Sequence, residues 1–395
     1  MRSRLMKGKA AVLALAMGLS AILGSASPAS ADDDGPKIYY KDGFHIDSAD
    51  GNYAWMLNLR LQSRLTYTAI EAGKDLVNFS IPRGEIRMEG NVFTTKLKYG
   101  FEMGFGTRVG SKTAPVCADA TCSTTVNAVV GESTTGLPVL NDYYFDWQPM
   151  DQVQLKFGQF KVPFLYTELV SAMKLEFPDR SVTNNIFSLA RDLGLDLHGN
   201  LFDYHLGYHF FIMNGDGANT IHSKREPMIG ARFEVPIIGD YKYSESDVDY
   251  TEEPALGLGV AYLLDDRGSS FENGTIPANV RASHGTIDLH FRSHGFFALG
   301  QGMLSRVHQG AKLTNFGFNA QAGYFIIPKH LEVAARASSV VFSNAIPNQY
   351  EYGACLGYYF NKHNLKLQTD YALLMNQRGL NLNDHQFRTQ LTMVF

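Results

Sequence analysis

The chain has no long apolar stretch after its first residues. No run of about 18 apolar residues occurs beyond residue 31, which excludes a protein that crosses the membrane with helices. An excess of basic residues is also absent: without residues 1–31 the chain has 31 basic and 39 acidic side chains, which argues against a nucleic-acid partner. Motifs of a phosphate-binding loop, a serine hydrolase and a zinc protease are missing too. We therefore predict no catalytic residue, no metal site and no cofactor.

Cysteine is scarce, with three residues in the whole chain. Cys117 and Cys122 lie close together in a polar, threonine-rich stretch, where they could form a disulfide in an oxidising compartment. A metal site, which would need further ligands, and two free thiols are the alternatives. Cys355 falls within a strand pattern, which indicates a small packing residue.

The first 31 residues have the pattern of a secretory signal. Four basic residues come first, followed by an apolar stretch from Ala10 to Leu23 that is too short to span a bilayer. Small residues around Ala29 and Ala31 then supply a cleavage site. An exported protein of a bacterial envelope is the expectation.

Alternation of apolar and polar side chains is the strongest signal in the rest of the chain. Near the end of the sequence, Phe387 and Leu391 fall on one face of a predicted strand, and Arg388 and Gln390 on the other. A lone edge strand is an aggregation hazard, so we expect this one to close a barrel by pairing with the first strand, near residues 55–66. Its apolar face would lie in lipid and its polar face in a lumen.

Sixteen segments show this alternation, and a closed antiparallel barrel needs an even number. They are residues 53–68, 79–90, 95–106, 140–148, 152–160, 193–199, 203–213, 228–236, 255–263, 285–293, 295–304, 314–326, 330–338, 349–360, 364–373 and 385–395. We predict an all-β transmembrane barrel over residues 53–395, preceded by a signal peptide (residues 1–31) and an irregular periplasmic segment (residues 32–52).

The connections alternate between short and long, as periplasmic turns and external loops of such barrels do. Residues 237–254 break this rule, because they form a long acidic connection on the side where turns should be short. The connection after the fifth strand, residues 161–192, carries apolar side chains that are poorly placed in open water. It is predicted to fold into the lumen and narrow it, or else to form a subunit contact.

Charged side chains gather on the predicted lumen faces. The candidate pore-lining residues on the strands are Arg60, Arg64, Arg83, Arg87, Lys156 and Arg388. As a functional interpretation, ordered guanidinium groups guide anions, because they bind oxyanions through two parallel hydrogen bonds. The structural alternative is that arginines and neighbouring glutamates pair across strands, stiffen the wall and neutralise each other.

Three stretches resemble the phosphate-selective porin O and P family. They are VQLKFGQFKVPF at 153–164, FPDRS at 177–181 with ARDLGLDLHG at 190–199, and FSIPRGEIRMEG at 79–90, where Pro82 and Gly84 depart from the family pattern. The resemblance implies a sixteen-stranded outer-membrane porin, usually trimeric, that passes small anions. The positions that match the family motifs, and would bind anions, are Arg83, Arg87, Lys161, Arg180 and Arg191.

The predicted function is therefore a water-filled diffusion channel in the outer membrane, with membrane lipid and small anions or other hydrophilic solutes as partners. Two other classes remain open. One is a barrel that serves as a sheath or scaffold for a periplasmic electron-transfer partner. The other is a hydrolase embedded in a barrel, for which the sequence offers no convincing Ser/His or Asp/His set.

Overall fold

The computed structural model describes residues 35–106, 109–117, 125–134, 138–220, 226–266, 281–309, 311–344 and 346–395. Its strands are β1 (Lys37–Tyr40), β2 (Phe44–Asp47), β3 (Ala54–Ala69), β4 (Leu76–Asn91), β5 (Leu97–Gly104), β6 (Val109–Cys117), β7 (Thr125–Thr134), β8 (Val139–Met150), β9 (Val153–Lys161), β10 (Arg191–Leu201), β11 (Leu206–Met213), β12 (Met228–Ile238), β13 (Ala255–Asp266), β14 (Arg281–Ser293), β15 (Phe296–Gln309), β16 (Ala311–Ile327), β17 (Leu331–Val341), β18 (Gln349–Asn361), β19 (Leu365–Met375) and β20 (Asn383–Val394). The helical elements are α1 (Tyr166–Leu169), a 3-10 turn (Ala172–Lys174) and α2 (Val182–Phe187). No helix in these described ranges has the length and hydropathy to cross a membrane.

Sixteen of the strands, β3–β5 and β8–β20, form one antiparallel barrel. Each pairs with the next, and β20 returns to pair with β3, where Gln390 lies opposite Arg64. Leu59 and Phe395 complete the seam by exchanging backbone hydrogen bonds of 2.6 and 2.9 Å. The predicted strand number and the predicted closing pair are confirmed, and closure leaves no barrel edge unpaired.

Side chains alternate between the inside and the outside of the barrel. On β20, Phe387 faces outward and is 48% exposed, whereas Arg388 and Gln390 face inward and are buried. The outward positions form the apolar surface that lipid requires, and the polar positions face the interior. Three aromatic residues near strand ends, Trp147, Phe360 and Phe395, are exposed on this surface.

The N-terminal part differs from the prediction. Residues 32–52 were expected to be irregular, but β1 and β2 form an antiparallel hairpin within them. Strand β2 also pairs with the start of β3, so Ile46 lies opposite Trp55 and the ring of Phe44 packs against the Trp55 ring. The pairing was missed because each strand is only four residues long, too short for a clear period of two.

The connection between β5 and β8 contains a second hairpin, formed by β6 and β7. It was predicted to be a loop without strands, and its short, polar alternation explains the error. Cys122 lies outside the described residues, as does the side chain of Cys117. The predicted disulfide therefore stays a prediction.

A local irregularity accommodates the proline that departs from the family pattern. Pro82 has no backbone N–H and cannot donate to the strand ladder. The register between β3 and β4 shifts at this point. Gln62 pairs with Arg83, but Arg64, two residues further on, pairs with Ser80, three residues back. The extra residue of this bulge lies on β4 between Ser80 and Arg83, and the pairing of the two strands continues on both sides of it.

Residues 162–190, the β9–β10 segment, contact opposite parts of the wall. The carbonyl of Pro178 accepts a hydrogen bond from Arg64 on β3 (2.8 Å), and the carbonyl of Phe164 accepts one from Arg232 on β12 (3.0 Å). Strand β12 is seven barrel strands away from β3 in the order of the sheet, about halfway round the barrel.

The apolar side chains of this segment form the centre of a hydrophobic cluster. Phe164, Leu165 and Phe187 pack there with inward-facing residues such as Met213 and Leu263. Burying them removes apolar surface from water at about 25 cal/mol per Å2, which holds a segment that is mostly irregular in one conformation.

Candidate functional site

A cavity of about 380 Å3 lies beside the β9–β10 segment, on the side of the barrel formed by β3–β5 and β8–β11. Its basic lining residues are Arg60, Arg83, Arg87, Lys156, Lys161, Lys174, Arg180 and Arg191. Its acidic lining residues are Glu85, Glu102, Asp142, Glu168 and Asp196. The predicted pore residues are thus brought together here, with the exception of Arg64 and Arg388.

Three guanidinium groups surround one carboxylate in the cavity wall. Glu102 accepts hydrogen bonds from Arg60 (3.2 Å), Arg87 (3.4 Å) and Arg191 (2.9 Å). Strands β3, β4 and β10 supply the arginines, and β5 supplies the glutamate. Glu102 is buried, whereas each arginine keeps part of its side chain exposed to the cavity.

A second cluster joins the wall to the β9–β10 segment. Arg64 and Arg83 contact the two carboxylate oxygens of Asp179, at 2.9 and 3.2 Å. Desolvation acts to raise the pKa of Asp179, but the two arginines outweigh it and hold this pKa well below its ordinary value. Arg64 and Arg83 thus both hold the segment, but only Arg83 also lines the cavity.

Lys161 and Arg180 stabilise the end of helix α1. Lys161 donates to the carbonyls of Glu168 (2.6 Å) and Val170 (3.1 Å), and Arg180 donates to the carbonyls of Thr167 (2.7 Å) and Val170 (2.8 Å). These carbonyls have no partner within so short a helix, so the two cations cap it. Burial raises the pKa of Glu168, but Arg180 and Lys161 outweigh this and lower it to about 2.

Lys156 stands on an aromatic surface of the cavity. Its ammonium lies 5.0 Å from the centre of the Tyr144 ring and 5.6 Å from that of Phe160. Asp146 contacts it at 3.5 Å. Aromatic faces attract a cation without neutralising it. Lys156 is thus paired with Asp146, and 21% of its side chain stays exposed in the cavity lining.

Arg388 lies away from the cavity. It faces the interior, as predicted, but its guanidinium donates to both oxygens of Asp370 on the neighbouring strand and is buried there. For this residue the structural alternative applies, because the pair joins β19 to β20 beside the barrel seam.

Several lining residues were missed in the sequence. Asp142 lies on the same strand face as Tyr144 and Asp146, and this alternation in NDYYFDW could have revealed it. A register shift opposite Glu102 brings Asp142 to the end of the Arg191 side chain, 2.7 Å away. Tyr243, which lies in the long connection after β12, had no sequence signal, because no pattern indicates where such a connection packs.

The opposite side of the interior is filled. On β12, Arg232 donates to Asp288 (2.9 and 3.1 Å), to Glu234 (2.8 Å) and to the hydroxyls of Tyr241 (2.6 Å) and Tyr243 (3.1 Å). Neither Arg232 nor Asp288 is exposed. In this half of the barrel, the filled half, Arg232 and Asp288 are buried and paired with each other. In the other half, the cavity half, the arginines around Glu102 are partly exposed.

A closed sixteen-stranded antiparallel barrel with an apolar exterior and a charged interior cavity is the architecture of an outer-membrane porin. The model of the family described as phosphate-selective porin O and P matches residues 57–236, which supports membership of this family. The family match and the fold both indicate a channel of the outer membrane. No curated protein matches the chain.

Solved porins share this fold at low sequence identity. The chain is similar to Salmonella typhi OmpF in a complex with daunomycin, with 14% identity, TM-score 0.57 and coverage of 91% of this chain and 100% of that one. It is similar to an anion-selective porin from Comamonas acidovorans, with 12% identity, TM-score 0.54 and coverage of 86% and 99%. It is also similar to a trimer form of OmpT from Vibrio cholerae, with 10% identity, TM-score 0.50 and coverage of 86% and 99%.

Proposed function

We propose that this porin passes small hydrophilic solutes with a preference for anions, phosphate-like oxyanions among them. The observation that carries this proposal is the excess of basic side chains in the cavity lining, eight against five acidic ones. The three arginines that share Glu102 also contact Glu85, Glu89 and Asp142, but each keeps part of its side chain exposed to the cavity. A permeating anion would meet N–H donors in a planar arrangement that suits oxyanions.

The β9–β10 segment is proposed to be the constriction. Its support is the set of contacts with β3 on one side and β12 on the other, which carry the segment across the interior. The capping of α1 by Lys161 and Arg180 would hold the constriction rigid while both residues still line the cavity. In this interpretation the same basic residues shape the passage and charge it.

A homotrimer, exported by a cleaved signal at residues 1–31 and carrying a periplasmic segment at residues 32–52, completes the proposal. The trimer is supported by the likeness to an OmpT trimer form, and the signal by the basic, apolar and small-residue pattern of the N-terminus. The sheath or scaffold alternative has no support from the family match or from the similar structures.

Planar-bilayer recording tests the channel and its selectivity. We expect ohmic single-channel steps, and a reversal potential in a KCl gradient whose sign corresponds to chloride permeating faster than potassium. Arg191→Ala should move this potential toward cation selectivity. Arg378→Ala, at an exposed rim position paired with Asp384, is the matched control and should leave it unchanged. Absence of a pore, or a cation-selective wild type, would overturn the proposal.

A further inference from the structure

The connection between β12 and β13, residues 239–254, leaves the barrel at the end with the short turns, and yet its middle, residues 245–248, is buried. Glu245 and Asp247 are 1% and 2% exposed, and Val248 packs in a cluster with Phe325 and Tyr359 of the inner wall. A connection of this length lying outside the barrel would be solvated. The β12–β13 segment instead enters the barrel from that end.

Its backbone is held by donors from two directions. The carbonyl of Ser244 accepts hydrogen bonds from the Tyr166 hydroxyl (3.1 Å) and from Arg292 of the wall (3.0 Å). The carbonyl of Lys242 accepts from the same two groups, at 2.9 and 3.2 Å. Tyr166 belongs to the β9–β10 segment, so the two segments are fixed to one another as well as to the wall.

Two hydrogen bonds of Glu245 to the β9–β10 segment strengthen this contact. The backbone N–H of Glu245 donates to the carbonyl of Lys174 (3.1 Å), and the Glu245 carboxylate accepts from the backbone N–H of Glu176 (3.1 Å). The side-chain amide of Gln321 donates to the carboxylates of Glu176 and Glu245, each at 3.0 Å. Three elements, the two segments and β16, therefore meet at Glu245.

The turn that follows is also built from specific contacts. Asp247 accepts from the backbone N–H of Thr251 (3.0 Å), from its hydroxyl (2.5 Å) and from the backbone N–H of Gly295 (2.8 Å). A carboxylate that collects several donors fixes the chain direction, because each lost bond would leave a buried polar group unsatisfied. The β12–β13 segment has one conformation, which a wall of a channel requires.

These contacts bring Tyr243 to the cavity. Its ring lies 5.5 Å from the Tyr166 ring at an angle of 26°, its hydroxyl accepts from Arg232, and its side chain lines the cavity together with Lys174. We propose that the β12–β13 segment is a second wall of the constriction, contributed from the periplasmic end, and that Tyr243 sets the width of the passage there. This inference rests on the proposed channel function, and Glu245 acts in it as a positioning residue.

Single-channel conductance of substituted protein tests the proposal. Tyr243→Ala removes a ring from the lining and should raise conductance by about 1.2- to 1.5-fold, because flux follows the diameter of the pore. Tyr250→Ala is the matched control in the same segment: Tyr250 packs against His294 and Gly295, away from the cavity lining, and its removal should leave conductance unchanged. Equal conductance of wild type and Tyr243→Ala would overturn the inference.

The positioning role of Glu245 has its own test. Glu245→Ala should raise conductance and current noise because the hydrogen bonds of the Glu245 carboxylate are lost. Glu245→Gln should restore wild-type behaviour because its side-chain carbonyl still accepts from the backbone N–H of Glu176. If the alanine variants fail to fold, Tyr243→Cys treated with a thiol-reactive sulfonate decides. Its current should fall while treated wild type and Tyr250→Cys keep theirs, and an unchanged current would contradict the proposal. A wild type that forms no pore would instead refute the channel function itself.

Discussion

Arg232 on β12 and Arg87 on β4 both face the barrel interior and both contact carboxylates, but their surroundings differ. Arg232 is completely buried, and all three of its guanidinium nitrogens are occupied by Asp288, Glu234 and two tyrosine hydroxyls. The side chain of Arg87 is 26% exposed, and its contacts are Glu89 and the shared Glu102. Arg232 is occupied by other groups of the same barrel, whereas Arg87 keeps part of its side chain exposed to the cavity.

The difference comes from what covers the wall. Carbonyl and carboxylate groups of the β9–β10 and β12–β13 segments accept hydrogen bonds from inward polar residues of β12–β19, among them Arg232, Arg292, Gln321 and Lys366. Toward β3–β5 and β8–β11 the same segments leave a cavity. Identical residue types with identical strand periodicity therefore have different roles, and the comparison can be tested one residue at a time.

Breaking the filled half should have the largest effect. Arg232→Ala leaves Asp288 buried without its cation, and we expect a loss of about 3–5 kcal/mol in the free energy of unfolding. Urea unfolding in lipid vesicles measures it. Arg87→Ala, the matched substitution in the cavity half, should lose far less because water can replace its contacts. Equal losses in the two variants would contradict the division of the interior into two halves.

Selectivity should respond only in the cavity half. Glu102→Gln removes one negative charge from among three arginines, and an interaction of about 1 kcal/mol at about 4 Å in water corresponds to about a fivefold gain in anion over cation permeability. The reversal potential in a KCl gradient measures it. Glu351→Gln makes the same change in the filled half, where Glu351 contacts Arg336, and should not alter selectivity. A shifted reversal potential in Glu351→Gln alone would show that selectivity depends on the filled half and not on the cavity half.

A pH effect is expected where the two segments meet. Burial and the neighbouring Glu332 and Glu245 raise the pKa of Glu176 well above its ordinary value. A carboxyl with a raised pKa stabilises the native contact fully in acid, and this stabilisation is lost as the pH rises from the ordinary value through the raised one. The other groups around Glu176 are Arg336, Tyr359, Cys355 and Lys366.

Conductance should therefore increase with pH as Glu176 ionises and repels Glu245. Glu176→Gln, whose side chain stays neutral, should have a conductance that does not change with pH. Recording the conductance of both proteins as a function of pH provides the measurement. A wild-type conductance independent of pH, or a glutamine variant that keeps the dependence, would refute this role of Glu176.

The smallest effect is expected at the rim. Lys362 and Asp249 form an ion pair of 2.8 Å with both side chains more than half exposed. Exposed pairs contribute about 0.2–1 kcal/mol, so Lys362→Ala should change the free energy of unfolding by about 0.5 kcal/mol or less. Melting curves at low and high salt measure this. A loss comparable to that of Arg232→Ala would show that exposure is the wrong criterion for separating structural from free charges.

Strand periodicity accounts for what the sequence could predict. Each barrel strand has lipid on one side and polar groups on the other, so alternation around residues such as Phe387 and Arg388 is a direct consequence of the environment. The same reasoning put Arg60, Arg83 and Arg87 on the inner face. It failed for β1 and β2, which are too short to show a period.

The filled half was beyond sequence reasoning for a physical reason. Whether an inward arginine faces water or protein depends on where irregular segments pack, and this depends on contacts between residues far apart in the chain. Arg388 was predicted to line the pore. It faces the interior, as the alternation predicted, but its guanidinium is paired with Asp370. The unusual length of residues 237–254 was a visible signal, although nothing in their order indicated that Tyr243 would reach the cavity.

The pairing of β20 with β3 has a consequence for how the chain acquires its structure. The hydrogen bond between Gln62 and Thr392 joins residues 330 positions apart. Contacts of such sequence separation carry a large loop-closure entropy and form late, which slows folding. Until β20 arrives, β3 and β19 are open edges able to template pairing with other chains. The final step of folding is thus also the one that removes the risk of aggregation, and assistance to that step would protect the whole barrel.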